Sequence, residues 1–516
     1  MARRAGLFLA VLVWPLLVMV SAGLSAQRTT ADQAVEVTRD SLLKQAYSLA
    51  SGLPPADRAE VMTRIVAVAR PGSQTLEPWI HELFALGSQL GETDRDGPEA
   101  AGAKAMSRIA PAKALKMLDG IQEPHLEPEQ PYRDARAEVA GAVFTAAYAR
   151  LGAGILPELR ARAQRMGNTC QYPYLAWAQM FRLLQNSPAG RAFLRPAFDD
   201  AVSAYLQSVA NGPAEEDFRQ FMAATWRLVP YDVAHPAAAR AVERLRAQAT
   251  EKPEGTRTLR MFTAKGEADF YNPGQVRFLR FVNEVVAPMD SQFANSLRNS
   301  EPLLNQPALQ PQAGVDVFVP EVVPTGDTRS LPSVPVQRSE AMMRAEYLSK
   351  TDVHAAIAYA KGISDPLSRC EALTAIVTGP VLAGAIGPTS LNADVAKNVV
   401  AQAEQSAEAV ADAPGRLLAF GHVAQAAATI KDNDQVARAV GLGFPIGSQL
   451  LNDAKARAST PREVVMFWLQ HMMTYLAIAD TQSALANAQN VTDAKLRALF
   501  LTEVAARWHE ESGQAR

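Results

Sequence analysis

Apolar positions along this chain recur at helical spacing. Trp177, Met180, Phe181 and Leu184 fall on one face, and so do Phe218, Phe221, Met222 and Val229. This is the stripe that an amphipathic helix buries. In three stretches the pattern repeats position for position. The first reads Ala356, Ala360, Ile363, Asp365, Arg369, Ala372, Leu373, Ile376. The second reads Ala403, Ala407, Val410, Asp412, Arg416, Ala419, Phe420, Val423, and the third Ala484, Ala488, Val491, Asp493, Arg497, Phe500, Leu501, Val504. A looser copy, with a turn one residue shorter, holds Ala46, Ala50, Leu53, Arg58, Val61, Met62 and Ile65. A fifth copy, interrupted by an inserted segment with Pro124, His125, Pro128 and Pro131, pairs Ala114, Leu118, Ile121 and Glu123 with Arg136, Val139, Ala140 and Val143.

Each copy predicts two helices and the turn between them. The paired alanines occupy one face of the first helix, where small side chains let a second backbone come close. Asp365, Asp412 and Asp493 then stand at a helix start, where a carboxylate accepts unpaired backbone N–H groups. Leu373, Phe420 and Leu501 point back at the first helix of their copies. Arg369, Arg416 and Arg497 each follow the Asp by four residues. A cation in the first turn opposes the helix dipole, so each is expected to pair with its Asp or to reach carbonyls that end the first helix. A row of arginines holding an anionic ligand is the functional alternative.

The predicted fold is therefore all-α, built of stacked helix pairs. The copies resemble α-α repeat modules of the tetratricopeptide or HEAT-like kind, although the Trp-Leu-Gly-Tyr positions of the tetratricopeptide pattern are missing. That resemblance implies a solenoid scaffold and carries no reaction with it. Between Thr258 and Tyr271, where Lys265 and Gly266 interrupt the helical pattern, a short hairpin is expected.

Four segments are expected along the chain. Residues 1–26 read as a signal peptide: Arg3 and Arg4, an apolar run from Leu7 to Val20, and small residues before Ala22 and Ala26. An uncleaved membrane anchor is the second reading, and both place the folded part outside the cytoplasm, periplasmic or secreted. An N-terminal helical domain is expected over 27–298 and a C-terminal one over 341–516. A Pro-rich, disordered linker is expected over 299–340, with Pro302, Pro307, Pro311, Pro320, Pro324, Pro332 and Pro335.

Charge and chemistry narrow the function by exclusion. The 51 basic and 53 acidic residues leave a net charge of −2, which argues against nucleic acid as a partner. Two cysteines, Cys170 and Cys370, leave two readings open in an exported chain: one disulfide or two buried thiols. The position of Cys370 beside an apolar stripe favours the thiols. Glu92-Thr93-Asp94-Arg95-Asp96-Gly97 opens like a calcium loop, but Ala103 stands where a bidentate Glu is needed. No phosphate loop, nucleophile elbow or zinc spacing is present, so no catalytic residue, cofactor or metal is expected. The leading expectation is a non-enzymatic scaffold that binds proteins or peptides in the cell envelope. Its rival is an α-helical enzyme acting on cell-wall glycans, with carboxylates supplied by distant helices.

Overall fold

The computed structural model describes residues 37–508, apart from 92–93, 122–133, 170, 209–211, 251–258, 263–267, 272, 306–338, 383–390 and 453–459. The leader and the insertion around His125 expected from the sequence lie outside these residues. The fold is all-α, with one two-stranded antiparallel hairpin, β1 (Leu259–Phe262) on β2 (Ala268–Tyr271). No helix among the described residues is long and apolar enough to cross a membrane.

The first run of helices is α1 (Arg39–Ala50), α2 (Pro55–Val68), α3 (Leu76–Gly87), α4 (Asp96–Ser107), α5 (Pro111–Gly120) and α6 (Ala135–Leu151). It continues with α7 (Leu156–Thr169), α8 (Tyr174–Leu184), α9 (Pro188–Gln207), α10 (Gly212–Thr225) and α11 (Tyr231–Thr250). After the hairpin come α12 (Pro273–Phe281) and α13 (Ser291–Ser300). The second run is α14 (Glu340–Thr351), α15 (Val353–Lys361), α16 (Pro366–Leu382), α17 (Ala393–Glu408) and α18 (Ala413–Thr429), then α19 (Asn433–Asn452), α20 (Arg462–Ala479), α21 (Thr481–Gln489) and α22 (Ala494–Arg507). The linker expected over 299–340 is shorter at its described ends. Residues 299–300 finish α13, Pro302–Asn305 form a 3-10 turn, and residue 340 opens α14.

Even-numbered helices pack on one another in the order α14, α16, α18, α20, α22, α2, α4, α6, α8, α10, α12. From α15 through α21 and on to α1, α3 and α5, each odd-numbered helix packs on two of the even ones. The two runs therefore join at α22, which packs on α1 and α2, the first two helices among the described residues. Packing order begins at residue 340, runs to 507, and resumes at residue 39. One hydrophobic core extends through both runs, so the join crosses the boundary expected between 27–298 and 341–516.

The alanines of the repeated pattern lie where helices meet. Ala356, Ala360, Ala403, Ala407, Ala484 and Ala488 are fully buried, and so are Ala46 and Ala50 in the looser copy. Leu373, Phe420 and Leu501 are buried beneath them. Each such large side chain contributes about 1.5–3 kcal/mol by leaving water. Glycine brings two even helices closer still. A Cβ on Gly421 of α18 would collide with the Trp468 ring of α20.

Corners are made by aspartates that serve two helices. The N–H groups of Asp352 and Asp480 bond to Leu348 and Leu476 carbonyls at 2.8 and 2.7 Å. Their side chains accept N–H groups of the next helix, Ala355 at 3.0 Å and Gln482 at 3.0 Å. Asp290 does the same between the end of the α12 segment and α13. A different turn ends α18: Lys431 adopts φ 59°. The Asp432 and Lys431 N–H groups then bond back to Ala427 and Ala428 carbonyls at 3.0 and 3.1 Å, a Schellman turn.

Candidate functional surface

The helix starts of the even layer form a polar rim. Asp365 accepts the Ser368 N–H at 2.8 Å, Asp412 the Gly415 N–H at 2.7 Å and Asp493 the Leu496 N–H at 2.9 Å. These bonds satisfy donors that a helix start leaves open. At Asp365 the Ser368 N–H and hydroxyl hold the carboxyl below its ordinary range, and Arg369 adds a smaller effect in the same direction.

The rim is continuous from helix to helix. Arg462, opening α20, pairs with Asp493 at 2.5 Å. Lys495, in the first turn of α22, pairs with Asp57 and Glu60 of α2 at 2.6 Å each. Farther along, the buried Arg136 pairs with the buried Asp134 at 2.7 Å. The Asp134 N–H donates to Gln171 Oε1 at 3.0 Å, and Gln171 Nε2 donates to Asp217 at 2.9 Å. This chain of bonds links the starts of α6, α8 and α10. Arg277 of α12 then meets Glu215 of α10 at 2.7 Å. Burial pushes the Glu215 carboxyl up, with Arg277 opposing. Adjacent contacts between helix starts show that neighbouring even helices run parallel.

Of the repeated arginines, Arg369 of the first copy and Arg58 of the looser copy have described side-chain partners. Arg369 Nε donates to Ser406 Oγ of α17 at 3.2 Å. Arg58 pairs with Glu82 of α3, whose other oxygen accepts the Tyr47 hydroxyl at 2.8 Å. Both reach forward to the next helix pair. The helix-ending carbonyls are capped by arginines elsewhere: Arg108 binds Val66 and Ala67 carbonyls at 3.0 Å each, and Arg244 binds the Ser208 carbonyl at 2.9 Å. Arg416 and Arg497 are half-buried, and their Nε groups have no hydrogen-bond partner among the described residues.

Between the helices that carry those two arginines lies α20. Val465, Met466, Leu469, Met472, Met473 and Leu476 face the core. A second stripe, Phe467, His471, Tyr475 and Ile478, is only partly covered, and Ile478 is 57% exposed. The His471 ring lies 4.0 Å from that of Phe467 and 6.4 Å from that of Tyr475, centroid to centroid. His471 Nδ1 sits 2.8 Å from the Phe467 carbonyl. A carbonyl can only accept, so Nδ1 carries the proton and Nε2 is the acceptor. Burial pushes the imidazole pKa down and the nearby Arg64 of α2 pushes in the same direction; the Phe467 carbonyl and Glu503 of α22 oppose them. Burial raises the Tyr475 hydroxyl to about 12. Sequence reading passed over this stripe because α20 already had one apolar face. The signal was a second set of large side chains at spacings of three and four.

Other chemistry resolves simply. Cys370 is a buried free thiol, 3.6 Å from the Ala419 carbonyl. Cys170, its partner in the bridge considered from the sequence, lies outside the described residues. Burial pushes the Cys370 thiol up. Asp96 and Gly97 belong to α4, and Ala103 is buried in its third turn; Glu92 and Thr93 lie outside the described residues. Among the described residues no group of three or more His, Cys, Asp and Glu could hold a metal ion. No protein-family model matches the chain, and no curated protein matches it.

Proposed function

We propose that the protein is an exported, non-enzymatic scaffold that binds proteins or peptides in the cell envelope along its even helix layer. The observation that carries this reading is the strip formed by three consecutively packed helices. Arg416 lies on α18, the Phe467–His471–Tyr475–Ile478 stripe on α20, and Arg497 on α22. Half-covered aromatics between arginines whose Nε groups lack a hydrogen-bond partner among the described residues suit a segment that carries apolar side chains beside carboxylates. Export rests on the N-terminal segment with Arg3, Arg4 and the apolar run to Val20.

The glycan-enzyme alternative needs carboxylates from distant helices converging on open space. Among the deeply buried carboxylates described, Asp134, Asp217 and Glu215 instead meet Arg136, Gln171 and Arg277. They fasten helix starts together.

Fluorescence anisotropy with labelled peptides tests the proposal on the intact mature chain. Peptides with aromatic and acidic residues should bind, and basic peptides of the same length should not. Phe467→Ala should weaken binding roughly tenfold, and Arg416→Glu with Arg497→Glu should remove the preference for acid. Equal binding of acidic and basic peptides would refute the assignment. Release of reducing ends from cell-wall glycan would replace it with the enzyme reading.

A further inference from the structure

Chain order and packing order disagree, and the disagreement has a consequence. Helix α1 packs more extensively on α22, from the other end of the chain, than on its own neighbour α2. Leu42, Leu43, Ala46 and Ala50 of α1 are all buried. So are Val61, Met62 and Ile65 of α2, and Leu496, Leu499, Phe500, Leu501 and Val504 of α22. Beside this apolar contact sits a charge triad. The Lys495 side chain is 15% exposed and reaches Asp57 and Glu60 at 2.6 Å each. Burial alone would push the Lys495 pKa down, yet the two carboxylates outweigh it and the ammonium is held charged above its ordinary value. The join therefore has a desolvated apolar centre and a specific ion cluster at its edge, the anatomy of a protein–protein interface.

We propose that this join is an interface in its own right. Residues 37–305 and 339–508 dock on each other through α22 against α1 and α2, and the docked pair does not need the peptide connection through 306–338. The kind of partner each half fits is thus stated by the other half. Residues 37–305 offer a groove beside α1 and α2 for an apolar helix whose first turn carries a lysine, and residues 339–508 supply that helix. In the uncut chain the connection only raises the local concentration of one half at the other.

The test uses the full chain. A site-specific protease sequence is placed within 306–338, the folded protein is cut, and the products are run by size exclusion at about micromolar concentration, where a standard-sized interface holds. Both fragments should elute together in equal amounts, at the size of the uncut chain, with unchanged helical circular dichroism. Separation of the fragments, folded or not, overturns the proposal. In the cut protein Lys495→Glu should weaken association at least about tenfold, because two carboxylates then face a third. Adding Asp57→Lys and Glu60→Lys should restore it, which a folding defect would not allow. Unchanged association in Lys495→Glu would place the contact elsewhere and overturn the assignment to this join.

Discussion

Lys431 offers a substitution whose sign follows from backbone geometry alone. Its φ of 59° places an L residue in the left-handed region, where Cβ crowds the following carbonyl at a cost of roughly 1–2 kcal/mol. The conformation is imposed by its surroundings. The Lys431 and Asp432 N–H groups close the end of α18, and Asp432 then caps α19 by accepting the Gln435 N–H at 3.1 Å. Lys431→Gly removes the crowding. It also frees the unfolded chain, which costs about 0.5–1 kcal/mol. The difference predicts a net stabilisation of up to about 1.5 kcal/mol. The Lys431 side chain is exposed, so its loss should matter little. Lys431→Ala controls for that loss while keeping the Cβ, and should be close to neutral.

Thermal melts of the two variants beside the parent give the comparison, and a gain of this size corresponds to at most about 2 °C in a chain this long. Amide exchange in α18 and α19 reads the same quantity locally and does not require all-or-none unfolding. Gly should slow exchange there and Ala should not. If Gly and Ala behave alike, the turn between α18 and α19 is not left-handed at Lys431, and the capping geometry that joins these two helices is wrong.

Two further outcomes follow from the packing. Leu373→Ala, at a side chain 1% exposed on α16, should cost about 2–5 kcal/mol in denaturant melts; a neutral result would move that residue out of the core. Burial holds the folded-state pKa of His471 below the ordinary imidazole value, about 6.5, so as pH falls through that ordinary value the unfolded chain takes up a proton that the folded chain resists. Stability should therefore decline as pH falls below about 6.5, and His471→Gln should flatten that decline in melts from pH 7.5 to 5.5.

Much of the local architecture was readable in the sequence, and the reason is geometric. Alanines at i and i+4, an aspartate at the next helix start and a large apolar residue eight positions beyond it specify one helix pair from contacts within about twenty residues. The corner aspartates were not singled out, although Asp352 and Asp480 stand four residues before Ala356 and Ala484. What lay beyond reach was the relation between pairs. Arg369 bonds to Ser406 and Arg58 to Glu82, and nothing in the spacing within one copy names a partner in the next. The candidate surface was hidden for the same reason. Phe467 and His471 gain meaning only once α18, α22 and α2 are known to flank α20 or lie one helix beyond it.

The looser copy beginning at Ala46 marks where chain order and packing order part. In the packed array it does not start the row; it follows the third in-register copy, with α1 covering the gap between α22 and α2. A repeated pattern at both ends of a chain is therefore compatible with one row of helices as well as with two separate modules, and local spacing does not distinguish them. Lys495 does. Its carboxylate partners, Asp57 and Glu60, lie more than four hundred positions away in sequence and 2.6 Å away in space. A ligand that tracks the rim from Arg416 across α20 to Arg497 would meet the α2 rim next, with no covalent boundary marked on the surface. For such a ligand, removing either half of the chain would shorten one continuous site rather than subtract one of two independent ones.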